Sequence, residues 1–412
     1  MSGPGALGTD RRVAITGIGI VSSLGAGREA NWEHMVAGLC GLRPVTLFDV
    51  SAFRSQIAGE IDTFDLQPRF TPYQRRRWSR SEQLGVVAAT EAFEDAGLLD
   101  GQIDRTRIGV LLGAGTGDLL RNEEYYFQLL SEGIERTRPT WIHHHFSNAP
   151  VDVLAQHFDL QGARSCVVAA CSSSTIAIGQ AADLILDGEL DAAICGGTDA
   201  LARLTFSGFN ALRLMDPEPC KPFDKARAGM SIGEGAAMLV LEDMDRAKAR
   251  GATIYAELAG YSLSCEAYHA TAPEPEGRAV GGTILQALES AGVSVDEVDH
   301  VNCHGTATPQ NDRAESRGLH VVFGDRARRI PVNSIKSMVG HCLGTAGAIE
   351  AAVLALTVKR GVIPPTIHHD TTDPECQVDV VANVAREVPV RCGVSTSLAF
   401  GGNDAALVMR AV

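Results

Sequence analysis

A chain of 412 residues holds roughly two to three domain equivalents or one large fused unit, and at 45% hydrophobic it has material for a sizeable buried core. Its 36 basic and 50 acidic side chains leave a formal charge of -14, which argues against nucleic acid or an anionic membrane as the main partner. No stretch has the polar bias of a disordered segment, and no apolar run reaches the roughly 20 residues of a membrane span.

The ten cysteines are scattered, with no C-x-x-C pair and no zinc-ribbon spacing. They read as reduced thiols, with neither a metal site nor a disulfide framework, in a cytoplasmic protein.

In chain order, MSGPGALGTDRR is rich in Gly and Pro and lacks an apolar signal core, so residues 1–10 are expected to be flexible. RVAITGIG reads as a strand, with Gly17 and Gly19 in a tight turn toward a helix. A dinucleotide loop is disfavoured there: Ser22 replaces the third glycine, and no acidic residue ends a second strand at the required distance. FTPYQRRRWSRSEQ looks like a surface excursion, and SEQLGVVAATEAFEDAG like a helix closed by Gly97.

RIGVLLGAGTG is a second strand, and GAGTGD (113–118) a turn that lacks the Lys-Ser/Thr of a phosphate loop. His143, His144 and His145 are expected to line a surface or cleft. In SCVVAACSSSTIAIGQAADLIL the reading is a buried strand over Val167–Ala170 and a helix from Ser172. Cys171 then sits at a helix N-terminus, where free N–H groups and the dipole favour a thiolate. Ala169, Ala170, Ser172, Ser173 and Ser174 are small enough for close approach, as at a nucleophile elbow. DAAICGG and AAMLVLED complete a first series of strands.

A comparable series follows from about Tyr255: the helix GGTILQALESAG, strands HVNCHG and PVNSIK, the helix TAGAIEAAVLALTVKRG and the strand AALVMR, with TDPECQVDVV as a surface excursion. The alternation predicts α/β layers with buried sheets, and the faint self-similarity suggests an ancient duplication whose halves pack as one body. His304 follows a strand and precedes Gly305, Thr306 and Thr308. His341 lies in a Gly-bounded loop, with Lys336 five residues before it. Both histidines sit at strand ends, where α/β sheets place ligand chemistry.

ACSSS, HGTATPQND, SIKSMVGHCLGTAGAIE, PPTIHHD and AFGGND resemble, in order and spacing, the motifs of the elongating β-ketoacyl-ACP synthases, the condensing enzymes of the thiolase superfamily. The likeness runs from about Arg12 to Met409. It implies a thiolase-like α/β fold with a duplicated αβαβα five-layered architecture, an N-terminal half over 11–254 and a C-terminal half over 255–412. It also implies an acyl group carried on Cys171, and decarboxylative condensation with malonyl-ACP promoted by His304 and His341. By the same resemblance Lys336 and Glu350 orient the site, Cys171 and Phe400 supply the oxyanion-hole N–H groups, and Phe400 acts as a gate. Thr306 and Thr308 would bond the phosphopantetheine arm, their alternate spacing placing both hydroxyls on one side of an extended segment. Arg75, Arg76, Arg77, Arg80 and Arg213 match docking positions for an acidic acyl carrier protein. A homodimer, or a heterodimer with a related subunit, is implied, and no cofactor beyond the carrier's own arm.

The sequence departs from the family pattern at Leu398 and Ala399, where Phe-Gly is usual, and a Cβ at 399 restricts the gate's backbone. Histidines 143–145 stand where aromatics are common, which suggests an altered acyl pocket. ACSSS is closer to the modular polyketide form, which favours a specialised pathway. Three alternatives stay open: a chain-length-factor-like subunit, against which Cys171 speaks; a CoA-dependent thiolase, with Cys342 as its second thiol; and a binding protein that retains only the fold.

Overall fold

The structure, a computed structural model, describes residues 11–62, 66, 69–99 and 103–412, so the N-terminal segment expected to be flexible lies outside the described residues. Five strands carry the first half: β1 (Val13–Ser22), β2 (Ile108–Gly113), β3 (Arg164–Val167), β4 (Ala192–Asp199) and β5 (Gly235–Asp243). They lie in the order β3-β2-β4-β5-β1, with β2 parallel to both neighbours and β5 antiparallel to both of its own.

The second half repeats this plan with β6 (Ala256–Cys265), β7 (His300–Asn302), β8 (Pro331–Asn333), β9 (Cys392–Ser397) and β10 (Asn403–Arg410). Their order is β8-β7-β9-β10-β6, with the same alternation of parallel and antiparallel pairs. The faint self-similarity of the sequence is thus a full repeat of strand order and polarity. The two sheets meet where Val13, Ala14 and Ile15 of β1 pair antiparallel with Leu258, Glu257 and Ala256 of β6.

Six helices complete five layers: α1 (Arg80–Ala96), α2 (Ala149–His157), α3 (Ser173–Leu186), α4 (Arg278–Ala291), α5 (Pro309–Phe323) and α6 (Ala346–Arg360). Helices α1 and α2 cover the outer face of the first sheet, and α4 and α5 that of the second; α3 and α6 lie between the sheets and touch strands of both. Helix α6 is buried continuously from Ala346 to Val358, as an all-round apolar helix must be. The predicted glycines do close α1, α4 and α6, each in the left-handed conformation.

Two readings are corrected. Gly17 and Gly19 lie within β1 and make no turn; a Cβ would stand 2.1 Å from the Ala92 carbonyl oxygen at position 17 and 1.9 Å from that of Ala88 at 19. Their role is to let α1 press directly on the strand. Part of the Arg-rich excursion is also internal, because Ser79 is a buried cap, with a capping box to Glu82, on the core helix α1. Gly19→Ala is therefore expected to force α1 off β1 and lower stability by about 1–3 kcal/mol, read as a lower urea midpoint at unchanged slope. An unchanged midpoint would contradict the packing role.

Candidate active site

Strand β3 stops at Val167, earlier than expected, and is partly exposed at the sheet edge where a buried strand was anticipated. A 3-10 turn over Ala170–Ser172 follows, and α3 starts only at Ser173, so Cys171 stands just ahead of the helix. The turn is sharp because Ala170 adopts φ 49, a left-handed conformation that L-residues rarely hold. The serines fix it. Ser173 Oγ accepts from the Ala169 N–H at 2.8 Å, Ser172 Oγ donates to the Ala169 carbonyl at 2.9 Å, and Ser174 Oγ accepts from the Ala348 N–H of α6 at 2.9 Å. Gly113 at the end of β2 lets this turn close in: a Cβ there would lie 2.1 Å from the Ser174 nitrogen.

The Cys171 sulfur is buried 3.0 Å from His341 Nε2, and the Phe400 backbone N–H also bonds it. Burial outweighs the positive charge of Lys336 and the Phe400 N–H, and pushes the thiol up to about 11. The expectation of a resting thiolate is corrected accordingly. Burial and the Lys336 charge hold both His304 and His341 well below the ordinary imidazole range. The resting trio is a neutral thiol and two neutral imidazoles.

His304 and His341 meet edge to face, ring centroids 5.2 Å apart. Lys336 Nζ donates to His304 Nδ1 at 3.2 Å and to the His304 carbonyl at 2.6 Å, and it pairs with the buried Glu350. Because a lysine ammonium has no acceptor, His304 Nδ1 must carry the lone pair and Nε2 the proton. His341 Nδ1, also buried, has no partner among the described residues, so nothing locks its tautomer. The Glu350 carboxyl is raised by burial, against the lowering by Lys336.

Two further carboxylates, which sequence reasoning missed, hold the loops. Glu315 of α5 accepts from the His304 and Gly305 N–H groups at 2.7 and 2.8 Å and from Thr396 Oγ1 at 2.7 Å. Asp199, at the end of β4, accepts from the N–H groups of Gly115, Thr116 and Gly117 at 2.8, 2.9 and 3.0 Å. The GAGTGD turn thus cradles a carboxylate of its own chain. The available signal was an acidic residue within two turns of a strand end, too common a pattern to single out.

Cys171, His304 and His341 line a pocket of about 130 Å³ with Thr306, Thr308 and Phe400. The two threonine hydroxyls lie 3.0 Å apart, on one side as expected. The reason differs: Ala307 between them takes φ 67, so the segment is folded. Phe400 packs tilted on Phe209 at 5.7 Å. Left-handed backbone occurs at Gly401 and Gly402 and not at Ala399, so the departure from Gly at 399 brings no strain in this state. A space of this size takes a group about as large as benzene.

Other candidates separate from the pocket. Arg80 is corrected as a docking residue: it turns inward, pairs with the fully buried Glu234 at 2.5 Å and donates to the Ile61 carbonyl. Arg76, Arg77 and Arg213 are exposed and Arg75 is partly so. His143 and His145 are surface residues, whereas His144 is buried 3.4 Å from Glu82. Cys342 aims its thiol at the Glu234 carbonyl, 3.4 Å away, and does not line the pocket, which removes the second thiol of the thiolase alternative. The one group of His, Cys, Asp and Glu side chains among the described residues placed to share a metal is the Cys171, His304, His341 trio itself. The Lys336 ammonium bonded to His304 opposes a dication there.

The family profile for the N-terminal domain of beta-ketoacyl synthases matches residues 10–247, and that for the C-terminal domain matches residues 255–370. The 3-oxoacyl-[acyl-carrier-protein] synthase 2 of Coxiella burnetii (strain RSA 493 / Nine Mile phase I) is 38% identical over 409 residues, 98% of this chain and 99% of the relative. Among solved structures, the ishigamide ketosynthase/chain length factor superimposes with a TM-score of 0.94 at 37% identity, covering 98% of this chain and 100% of that one. A type II PKS acyl-carrier protein in complex with its ketosynthase, the AntDE:AntF assembly, gives 0.91 at 30% identity with the same coverage. Matched in both halves, and carrying a cysteine and two histidines together where those halves meet, the chain belongs to the β-ketoacyl synthase family.

Proposed function

We propose that the protein is a 3-oxoacyl-ACP synthase that joins an acyl group held on Cys171 to the two-carbon unit of malonyl-ACP. The observation that carries this reading is the 3.0 Å contact of Cys171 Sγ with His341 Nε2 beside a second imidazole whose proton is fixed on Nε2.

In the first half-reaction Cys171 Sγ attacks the acyl thioester carbonyl as its proton passes to His341 Nε2. The oxyanion is held by the backbone N–H groups of Cys171 and Phe400, and the departing carrier thiolate takes the proton from His341. A preformed thiolate is not required. In the second half-reaction the bond between the malonyl carboxylate and its α-carbon breaks, CO2 leaves, and the electron pair becomes an enolate. His304 Nε2–H bonds the enolate oxygen, joined by His341 in its Nε2–H tautomer. The α-carbon then forms a bond to the acyl carbonyl, the carbonyl–sulfur bond breaks, and the Cys171 thiolate takes the one proton the overall reaction consumes, supplied by solvent through His341. The product is a 3-ketoacyl-ACP two carbons longer.

The carrier partner is supported by the exposed Arg76, Arg77 and Arg213 on a chain of net charge -14, which offers an acidic carrier only local basic surface. Thr306 and Thr308 receive the phosphopantetheine arm at the pocket. A second subunit, identical or related, is supported by the open edge of β3 and by Val168, 60% exposed just beyond it. No cofactor enters these steps. No helix among the described residues is long and apolar enough to cross a membrane, and we place the enzyme in the cytoplasm, in fatty-acid or, by its ACSSS motif, polyketide synthesis.

Intact-mass analysis across a panel of acyl-ACPs tests the central step: the native enzyme gains one acyl group and Cys171→Ala none. Absence of acylation with every donor would overturn the assignment and revive the chain-length-factor reading. His304→Ala should keep acylation while losing condensation by about 10²–10³-fold, the cost of one removed oxyanion donor, whereas His341→Ala should slow both half-reactions. Equal effects of the two variants on acylation would contradict the division of roles. Because the thiol lies up at about 11, alkylation of Cys171 by iodoacetamide should keep rising about tenfold per pH unit through pH 9. A plateau near pH 7 would show that the thiolate is preformed.

A further inference from the structure

Two acidic side chains on the wall of the same pocket have no place in the mechanism above. Glu266 follows the last residue of β6 and Asp404 is the second residue of β10, and the paired strands bring them side by side. Asp404 is only 1% exposed. The Ala399 N–H approaches the Asp404 carboxyl, but as two ionised groups neither Asp404 oxygen, nor Glu266 Oε1, has a donor in good hydrogen-bond geometry, while Glu266 Oε2 accepts from the Glu274 N–H at 2.9 Å. Three buried acceptor atoms without a well-placed donor, on adjacent acids, are costly unless one proton lies between them.

The pair lies where the gate is tied down. Glu266 N–H donates to the Gly402 carbonyl at 2.9 Å, Gly401 N–H donates to the Ala270 carbonyl at 2.8 Å, and Gly402 presses so closely on Glu266 that a Cβ would come within 2.9 Å of the glutamate's own. The Phe400 turn is thereby stitched to the segment following β6.

We propose that Glu266 and Asp404 are positioning residues of the condensing site: one proton shared between their carboxyl groups latches the Phe400 turn, closed over Cys171, to the end of β6. The inference rests on the ketosynthase reading only in taking Phe400 as the gate. Asp404 donates and Glu266 accepts.

The surroundings favour keeping the proton. Burial first, then Glu266 and Glu315, push Asp404 up to about 8, and burial raises Glu266. The charged groups that face the pair are Glu315 from α5 and Glu274 from the following loop, the latter 3.9 Å from Arg278; His269, Cys171, His304 and His341 share the pocket. In an open state Asp404 is hydrated and titrates near its ordinary value of about 3.9. The closed state therefore binds the proton more tightly. Its advantage is complete below about pH 4 and is lost as pH rises to about 8.

Infrared spectroscopy of the intact protein reads the proton directly: because Glu350 and other buried carboxyls are raised as well, the native-minus-Asp404→Asn difference spectrum is taken, and it should show a protonated carboxyl band at neutral pH that vanishes above about pH 8. The gate is read from the ratio of Cys171 labelling by a bulky maleimide to labelling by iodoacetamide, in which thiol ionisation cancels. In the native enzyme this ratio should rise about tenfold or more between about pH 5 and pH 8. In Asp404→Asn, whose amide donates to Glu266 with no proton to lose, it should stay low and flat, and Glu266→Gln should behave alike. A native enzyme without the titrating band, or variants that keep the native pH dependence, would overturn the latch. Should the variants not fold, the pH dependence of the native labelling ratio decides, a flat ratio overturning the latch, and because neither readout needs turnover, loss of the condensing reading would leave both intact.

Discussion

The active site depends on the crossing of two buried helices, α3 and α6, at a contact that only small residues permit. A Cβ on Gly347 would lie 1.9 Å from Thr175 Oγ1, and Thr175 in turn bonds Ser397 Oγ at 2.7 Å. With the axes this close, the turns that lead into the two helices come together. Those turns are equivalents in the repeated fold: each follows the outer parallel strand of its half, each is a single 3-10 turn, and each is preceded or opened by a left-handed residue, Ala170 at φ 49 and Leu343 at φ 52. One half supplies Cys171 and the other supplies His341. Neither half holds a site alone.

Around this crossing the charges are arranged so that the reacting groups stay neutral. Lys336 is almost fully buried and is held by Glu350 and by both the ring and the carbonyl of His304. Removal of either member of such a buried pair costs about 3–5 kcal/mol because the other charge is left unpaired, so the pair is held in place by its own penalty. Its field then lowers both imidazoles and orients one of them. Glu315 and Asp199 serve the loops in the same way, each carboxylate gathering backbone N–H groups that the turns at 304–305 and 115–117 leave without helical or sheet partners.

How much of this the sequence disclosed depends on which physical signal each residue carries. Strands such as AAMLVLED and helices such as TAGAIEAAVLALTVKRG are legible because their burial is apolar and periodic. Strand β9, CGVSTS, was not singled out although all six residues are buried, because half of its side chains are hydroxyls, of which Thr396 is satisfied by Glu315 and Ser397 by Thr175. β6 was missed for the complementary reason: only part of it is buried, so its apolar pattern is broken. The trio of Cys171, His304 and His341 was legible through its Gly turns and strand ends. The resting ionisation of Cys171 was not, since a helix start argues for a thiolate and only the packing reveals how far burial opposes it. Arg80 was misjudged similarly: a run of arginines looks exposed, and which one turns inward depends on Glu234, far along the chain.

A thiol kept neutral suits a site that must produce a carbanion equivalent. A resting thiolate at this buried position would be an anion with no cation in contact, a state that burial penalises heavily. In the proposed cycle a neutral thiol that gives up its proton only during acyl transfer avoids that cost, and acylation then removes the thiol from titration altogether. The charge that develops in the proposed reaction, on the enolate oxygen, faces His304, whose proton position Lys336 has already fixed. Stabilisation is thus aligned with the atom on which charge appears during the reaction, and little of it is expended on the resting enzyme.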